Sequence, residues 1–128
     1  AYRVARDRDS RAIAGLSMGG AQALHIGLNH PDHFGWLGSF SGAFVMYGDD
    51  YTRYFPMLDG EAASRFRLIW LACGTEDFLI QTNRKLGGWL KEKGMKFSSK
   101  ETPGAHTWMV WRRYLTELAP LLFREAQP

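Results

Sequence analysis

The chain alternates between short runs that are apolar throughout and longer stretches in which apolar residues recur at helical spacing. The first run, Arg11 to Leu16, is small and apolar and stops abruptly at Gly15-Leu16-Ser17-Met18-Gly19. From Met18 to about Asn29, residues Ala21, Leu24, Ile26 and Leu28 form a broad apolar face, as a helix packed on a sheet requires. Pro31 disfavours helix at the residue before it, so Asn29-His30-Pro31-Asp32 ends the segment. Phe34 to Phe40 is a second apolar run. Leu68 to Cys73 is a third, continuously apolar like a parallel strand covered on both faces. Phe78 to Lys93 reads as a helix with Leu79, Leu86 and Leu90 on one side, stopped by Gly94 in the C′ position. Lys96 to Thr102 alternates and is more polar, which places it near a sheet edge. Pro103 to His106 is a loop, and Thr107 to Phe123 a closing helix that Pro120 ends or kinks.

The stretch from Val45 to Arg65 is less regular and rich in aromatics and turn residues. A connection this long in a small domain is expected to be a functional loop or lid. Its aromatics either line a substrate cleft or cover the edge of the core.

Strands alternating with helices predict a single α/β domain over residues 1–128: a mostly parallel sheet of about four strands, flanking helices and right-handed crossovers. A chain of 128 residues supports one core and not two. Hydrophobic residues make up 45% and charged residues 23%, which excludes a disordered chain. No apolar run approaches the roughly 20 residues that span a bilayer, so no membrane partner is expected. The net charge of +3 comes with no clustered basic stripe or reading module, so nucleic acid is not an expected partner either. The single cysteine, Cys73, excludes an internal disulfide and a cysteine-based zinc site, and its apolar setting suits a buried structural thiol. Residues 1–11 are charged, without a basic-then-apolar leader, and lead directly into the first strand, as expected of the interior of a longer chain.

The chemistry collects where the strands end. Gly15-Leu16-Ser17-Met18-Gly19 is a G-x-S-x-G sequence between a strand and a helix, which holds a serine at the apex of a sharp turn. Side chains at Gly15 or Gly19 are expected to collide with backbone in so tight a bend. In a parallel sheet reactive groups gather at the carboxyl ends of the strands. Ser17, Asp77 and His106 follow the first, third and fourth strands, in the chain order Ser, acid, His. A serine hydroxyl needs an adjacent base, His106, and the base needs a carboxylate, Asp77, to fix its tautomer and stabilise its cation. Glu76 is the alternative acid, less favoured because Asp77 lies where the loop enters the next helix. His25, His30 and His33 read as capping or surface residues. Ser39 and Ser41 follow the second strand and are candidates to line the site. The Met18 backbone N–H, at the start of a helix, is the expected oxyanion donor. No His/Asp/Glu cluster has ligand spacing, so neither metal nor cofactor is expected.

Three segments carry a resemblance: Gly15-Leu16-Ser17-Met18-Gly19-Gly20, Gly74-Thr75-Glu76-Asp77-Phe78, and Gly104-Ala105-His106-Thr107-Trp108 with Trp111-Arg112-Arg113-Tyr114-Leu115. Together, from about Arg11 to Arg124, they resemble the esterase family of α/β hydrolases that includes feruloyl, acetyl xylan and enterochelin esterases, S-formylglutathione hydrolases and mycolyltransferases. The closing stretch, with Ala119-Pro120-Leu121-Leu122-Phe123, is most similar to the feruloyl and xylan esterases. Ala105 stands where the family commonly has a second glycine, a departure that bears on loop geometry. The resemblance implies the C-terminal half of an α/β-hydrolase fold, with earlier strands, a second oxyanion donor and much of the acyl pocket preceding the first strand. It implies a serine esterase acting through an acyl-enzyme on feruloyl or acetyl esters of plant cell-wall polysaccharide, with Trp108 and Phe44 as substrate-binding residues. A non-catalytic binding derivative and an acyltransferase are the alternatives. Pairing of the first strand with the missing half or with a second copy is also expected, and the resemblance favours a secreted or periplasmic setting.

Overall fold

A computed structural model describes residues 2–56, 58 and 60–125. Four parallel strands lie side by side in chain order: β1 (Ala12–Leu16), β2 (Trp36–Phe40), β3 (Leu68–Gly74) and β4 (Ser98–Thr102). Between and after them run α1 (Met18–Asn29), a short α2 (Gly60–Ala63), α3 (Ile80–Glu92) and α4 (Trp108–Leu118). Among the described residues no helix is long and apolar enough to cross a membrane.

Side chains alternate across a strand, and here the alternation divides two cores. On one face Leu37, Ile69 and Leu71 pack with Leu24 and Leu28 of α1 and Leu86 and Leu90 of α3. On the other, Phe40, Trp70 and Ala72 meet Val110, Trp111, Tyr114 and Leu118 of α4. The result is three layers, with α4 alone among the long helices behind the sheet. Both middle strands are covered twice, which is why β2 and β3 are almost uniformly apolar. Ser98 to Lys100 and Glu101 are exposed, as the edge position of β4 dictates.

The segment after β2 resolves the choice left open for its aromatics. Two 3-10 turns, Phe44–Tyr47 and Tyr51–Arg53, fold Phe44, Tyr47, Tyr51 and Phe55 into the first core. The Tyr47 hydroxyl donates to the Ala21 carbonyl of α1. These rings cover the core edge instead of lining a cleft. Phe44 is 0% exposed and stacked on Tyr47, so the expectation that it contacts substrate is corrected: no face of its ring is open to a ligand.

The helix ends follow local chemistry. Gly94 has φ +74°, the left-handed C′ conformation expected of it. Pro120 ends α4, and Ala119–Leu121 continues as a 3-10 turn. The third helix begins at Ile80 and not at Phe78, because Asp77 Oδ1 accepts the Leu79 amide and holds residues 77–79 in a turn.

At the opposite side of the sheet from β4, β1 pairs only with β2 among the described residues. Its second edge is open.

Candidate active site

The turn at Ser17 explains the glycines around it. Ser17 has φ +54°, a conformation L-residues rarely adopt, and caps α1. Its amide donates to the Phe40 carbonyl at 2.9 Å, and its carbonyl accepts the amides of Gly20 at 3.0 Å and Ala43 at 2.9 Å. The bend brings Gly15 so close to the next turn that an added Cβ would lie 2.3 Å from the Gly19 carbonyl oxygen. The expectation for Gly19 is corrected, since a Cβ there meets nothing within 4 Å. The second indispensable glycine is Gly20, whose Cβ would fall 2.5 Å from Ser39 Oγ.

A second close approach joins the acid to the base. A Cβ on Gly74, at the end of β3, would lie 2.1 Å from the Gly104 carbonyl oxygen. The two loops are laced by hydrogen bonds: the Thr75 amide donates to the Thr102 carbonyl at 2.8 Å and the Glu76 amide to the Gly104 carbonyl at 3.0 Å. The Gly104 amide in turn donates to Glu76 Oε2 at 2.7 Å. Gly104 sits at φ +123°, whereas Ala105 is absent from the positive-φ residues, so an alanine fits this loop without strain.

These loops bring the three expected side chains together. Ser17 Oγ is 2.9 Å from His106 Nε2, and His106 Nδ1 is 2.8 Å from Asp77 Oδ2. Asp77 is 2% exposed, with its other oxygen accepting the Leu79 amide at 2.8 Å. Glu76 is instead exposed and braces the histidine loop, so the two neighbouring carboxylates have separate partners. The Thr75 hydroxyl, with the Gly104 amide, holds the Glu76 carboxyl below its usual range. The imidazole packs against two rings, Phe78 and Trp111, each with its centroid 4.8 Å away. Met18 opens α1, so its amide is one the helix does not consume. Its side chain, next to Ser17, is exposed, as are Phe78 against the imidazole and Trp108 against Trp111.

Other candidates lie apart or below. Ser39 is inside β2 and Ser41 just past it, both 0% exposed, so neither reaches the surface of the site. Cys73 is buried, and desolvation, aided by the Asp77 charge, pushes its thiol up to about 12. That is an unreactive, structural thiol. His25 packs edge-on against Tyr47, Tyr54 and Phe55. His30 and His33 form an exposed group with Asp32, whose potential ligand atoms all lie within 4.8 Å of one another, a proximity that linear spacing did not reveal. Also missed in the sequence was Trp111. Trp111 falls on the apolar face of a helix, where its spacing reads as core.

A family model described as "Putative esterase" matches residues 1–122. The chain belongs to this esterase family. An acetyl esterase of Caldicellulosiruptor saccharolyticus is 28% identical over 89% of the chain and 54% of that protein. An endo-1,4-beta-xylanase/feruloyl esterase of Xylanibacter ruminicola is 33% identical over 92% of the chain and 15% of that protein. Among solved structures, a ferulic acid esterase superposes with a TM-score of 0.78 at 27% identity, over 93% of this chain and 52% of that one. The esterase chain described here thus spans about half the length of the acetyl esterase and of the ferulic acid esterase. Its fold is that of the α/β-hydrolase esterases.

Proposed function

We propose that this esterase chain carries the nucleophile, base and acid of a serine hydrolase that works through an acyl-serine intermediate. The observation behind the reading is the unbroken line of hydrogen bonds from Ser17 Oγ through His106 to Asp77. In the neutral imidazole, Nδ1–H donates to Asp77, which leaves Nε2 free to accept the serine proton. The serine oxygen attacks the ester carbonyl as that proton moves to Nε2. The imidazolium then gives it to the departing alkoxide, and water releases the acyl group by the same steps in reverse order. The Met18 amide, which α1 leaves free, is assigned as a donor to the tetrahedral oxyanion.

For the substrate, the family relatives act as acetyl and feruloyl esterases by name. The exposed apolar side chains of Met18, Phe78 and Trp108 beside the three residues suit an aromatic acyl group or a sugar face. We therefore assign feruloyl or acetyl esters of plant cell-wall polysaccharide as the substrate class. The open edge of β1 supports pairing with a further segment of the hydrolase sheet or with a second copy.

A fluorophosphonate probe tests the mechanism, with the adduct located by mass spectrometry. Labelling on Ser17 that disappears in Ser17→Ala is expected. Labelling that persists in that variant, or none in any assembled form of the enzyme, would sink it.

A further inference from the structure

We infer that Trp111, held by the Ser41 hydroxyl, sets the orientation of the His106 ring. The two hydrogen bonds of the imidazole lie along its own edge, at Nδ1 and Nε2. With Cγ tethered to the backbone they hold the ring while both are made, but when the serine bond is broken in the acyl-enzyme the ring can turn about Cβ–Cγ. Two rings are in place to limit that turn. Phe78 is 75% exposed and stands on the solvent side. Trp111 is buried, 7% exposed, and meets the imidazole at an interplanar angle of 89°. The immovable wall is therefore Trp111.

Beyond its packing in the second core, Trp111 makes one polar contact. Trp111 Nε1 donates to Ser41 Oγ at 3.1 Å, both groups being buried. Ser41 has φ +50°, in the left-handed region, and its amide is tied to the Ala72 carbonyl at 2.7 Å. Apart from Phe123, only Ser41 shares this backbone state with Ser17 among the described non-glycine residues. Glycine would take that conformation at less cost. What serine adds is the hydroxyl, which accepts the indole N–H and also bonds the Cys73 thiol. Cys73 is a structural thiol, so strain retained at the base of the site for this hydroxyl points to a task for its contact with Trp111. Trp111 is thus a positioning residue, acting on the reaction through His106. Its link to catalysis rests on the reading of Ser17, His106 and Asp77 given above, but the orientation of the ring does not.

Proton and nitrogen NMR of the imidazole reads the orientation without any turnover. In the parent chain the Nδ1–H facing Asp77 should give a sharp, slowly exchanging low-field resonance. Ser41→Gly keeps the backbone conformation accessible and removes only the acceptor; Trp111→Phe keeps a ring and removes the donor. Both variants should broaden or lose that resonance, while Ser41→Gly still melts cooperatively near the parent temperature. Fluorophosphonate labelling of Ser17 should slow by about 10- to 100-fold, the scale of a misplaced reacting group. Parent-like resonances and labelling in a folded Ser41→Gly would overturn the inference and leave the triad reading intact. A changed resonance with a parent that never labels would uphold the orientation and remove the catalytic reading.

Discussion

Two carboxylates stand next to each other in the chain and meet different fates. Asp77 is enclosed, with one oxygen on the Leu79 amide and the other on His106. Glu76 points to the histidine loop and accepts the Gly104 amide. Asp77→Asn keeps the shape but can present an amide donor to a nitrogen that itself needs an acceptor. Ser17 labelling should then fall by about 10⁴-fold, the cost of the wrong histidine tautomer. Glu76→Gln retains an acceptor for Gly104 and should leave the labelling rate close to that of the parent. Equal losses in both variants would show that the division of roles is wrong. That Asp77 would face the imidazole was readable from its place at the entry to a helix. The brace supplied by Glu76 was not, because it depends on where Gly104 lies in space.

Elements are positioned by contacts too close for a side chain. β3 and the loop after β4 touch at Gly74 and Gly104, and this contact sets how near the acid and base can come. Gly74→Ala places a Cβ against backbone, not against a side chain that can swing away. The histidine loop must then move, and a shift of about 1 Å costs on the order of 100-fold in rate. Labelling should collapse in this variant while far-UV circular dichroism stays that of the parent; unchanged labelling would show that the loop adapts. Element type was legible in the hydrophobic pattern because two cores leave β2 and β3 apolar on both faces while the helices keep one apolar side. Element limits were less so. β2 begins at Trp36 and not Phe34, and β4 at Ser98 and not Lys96. Phe44 shows a different limit: from sequence alone an aromatic beside a site and an aromatic beneath it look the same.

At the scale of the molecule, the sheet has one polar edge and one open apolar edge. β1 offers unpaired backbone groups flanked by the half-buried Ile13 and Leu16. Size-exclusion chromatography should therefore show association above the 14.6 kDa of one chain, and a stable monomer would argue against a pairing role for β1. Several surface carboxyls are held below their usual range by cationic partners, Asp9 by Arg67, Asp49 by Lys85 and Glu101 by Arg84. Each takes up a proton less readily when folded than when unfolded. Their contribution to stability is therefore complete above the ordinary carboxylate range and is lost as pH falls through the lowered values. The melting temperature should be insensitive to these groups between pH 7 and 5 and should drop below about pH 4. Added salt should flatten that drop, because the pairs are exposed and screened.

The hydroxyl and the imidazole that meet at Ser17 and His106 are 89 positions apart in the chain. A single cut in the aromatic-rich connection after β2 would leave the hydroxyl on one peptide and both of its helpers on the other. Neither peptide would carry a working relay, and mixing them would restore one only where the β2–β3 pairing re-forms. Recovery of probe signal from two silent fragments would make this fold a reporter of its own reassembly.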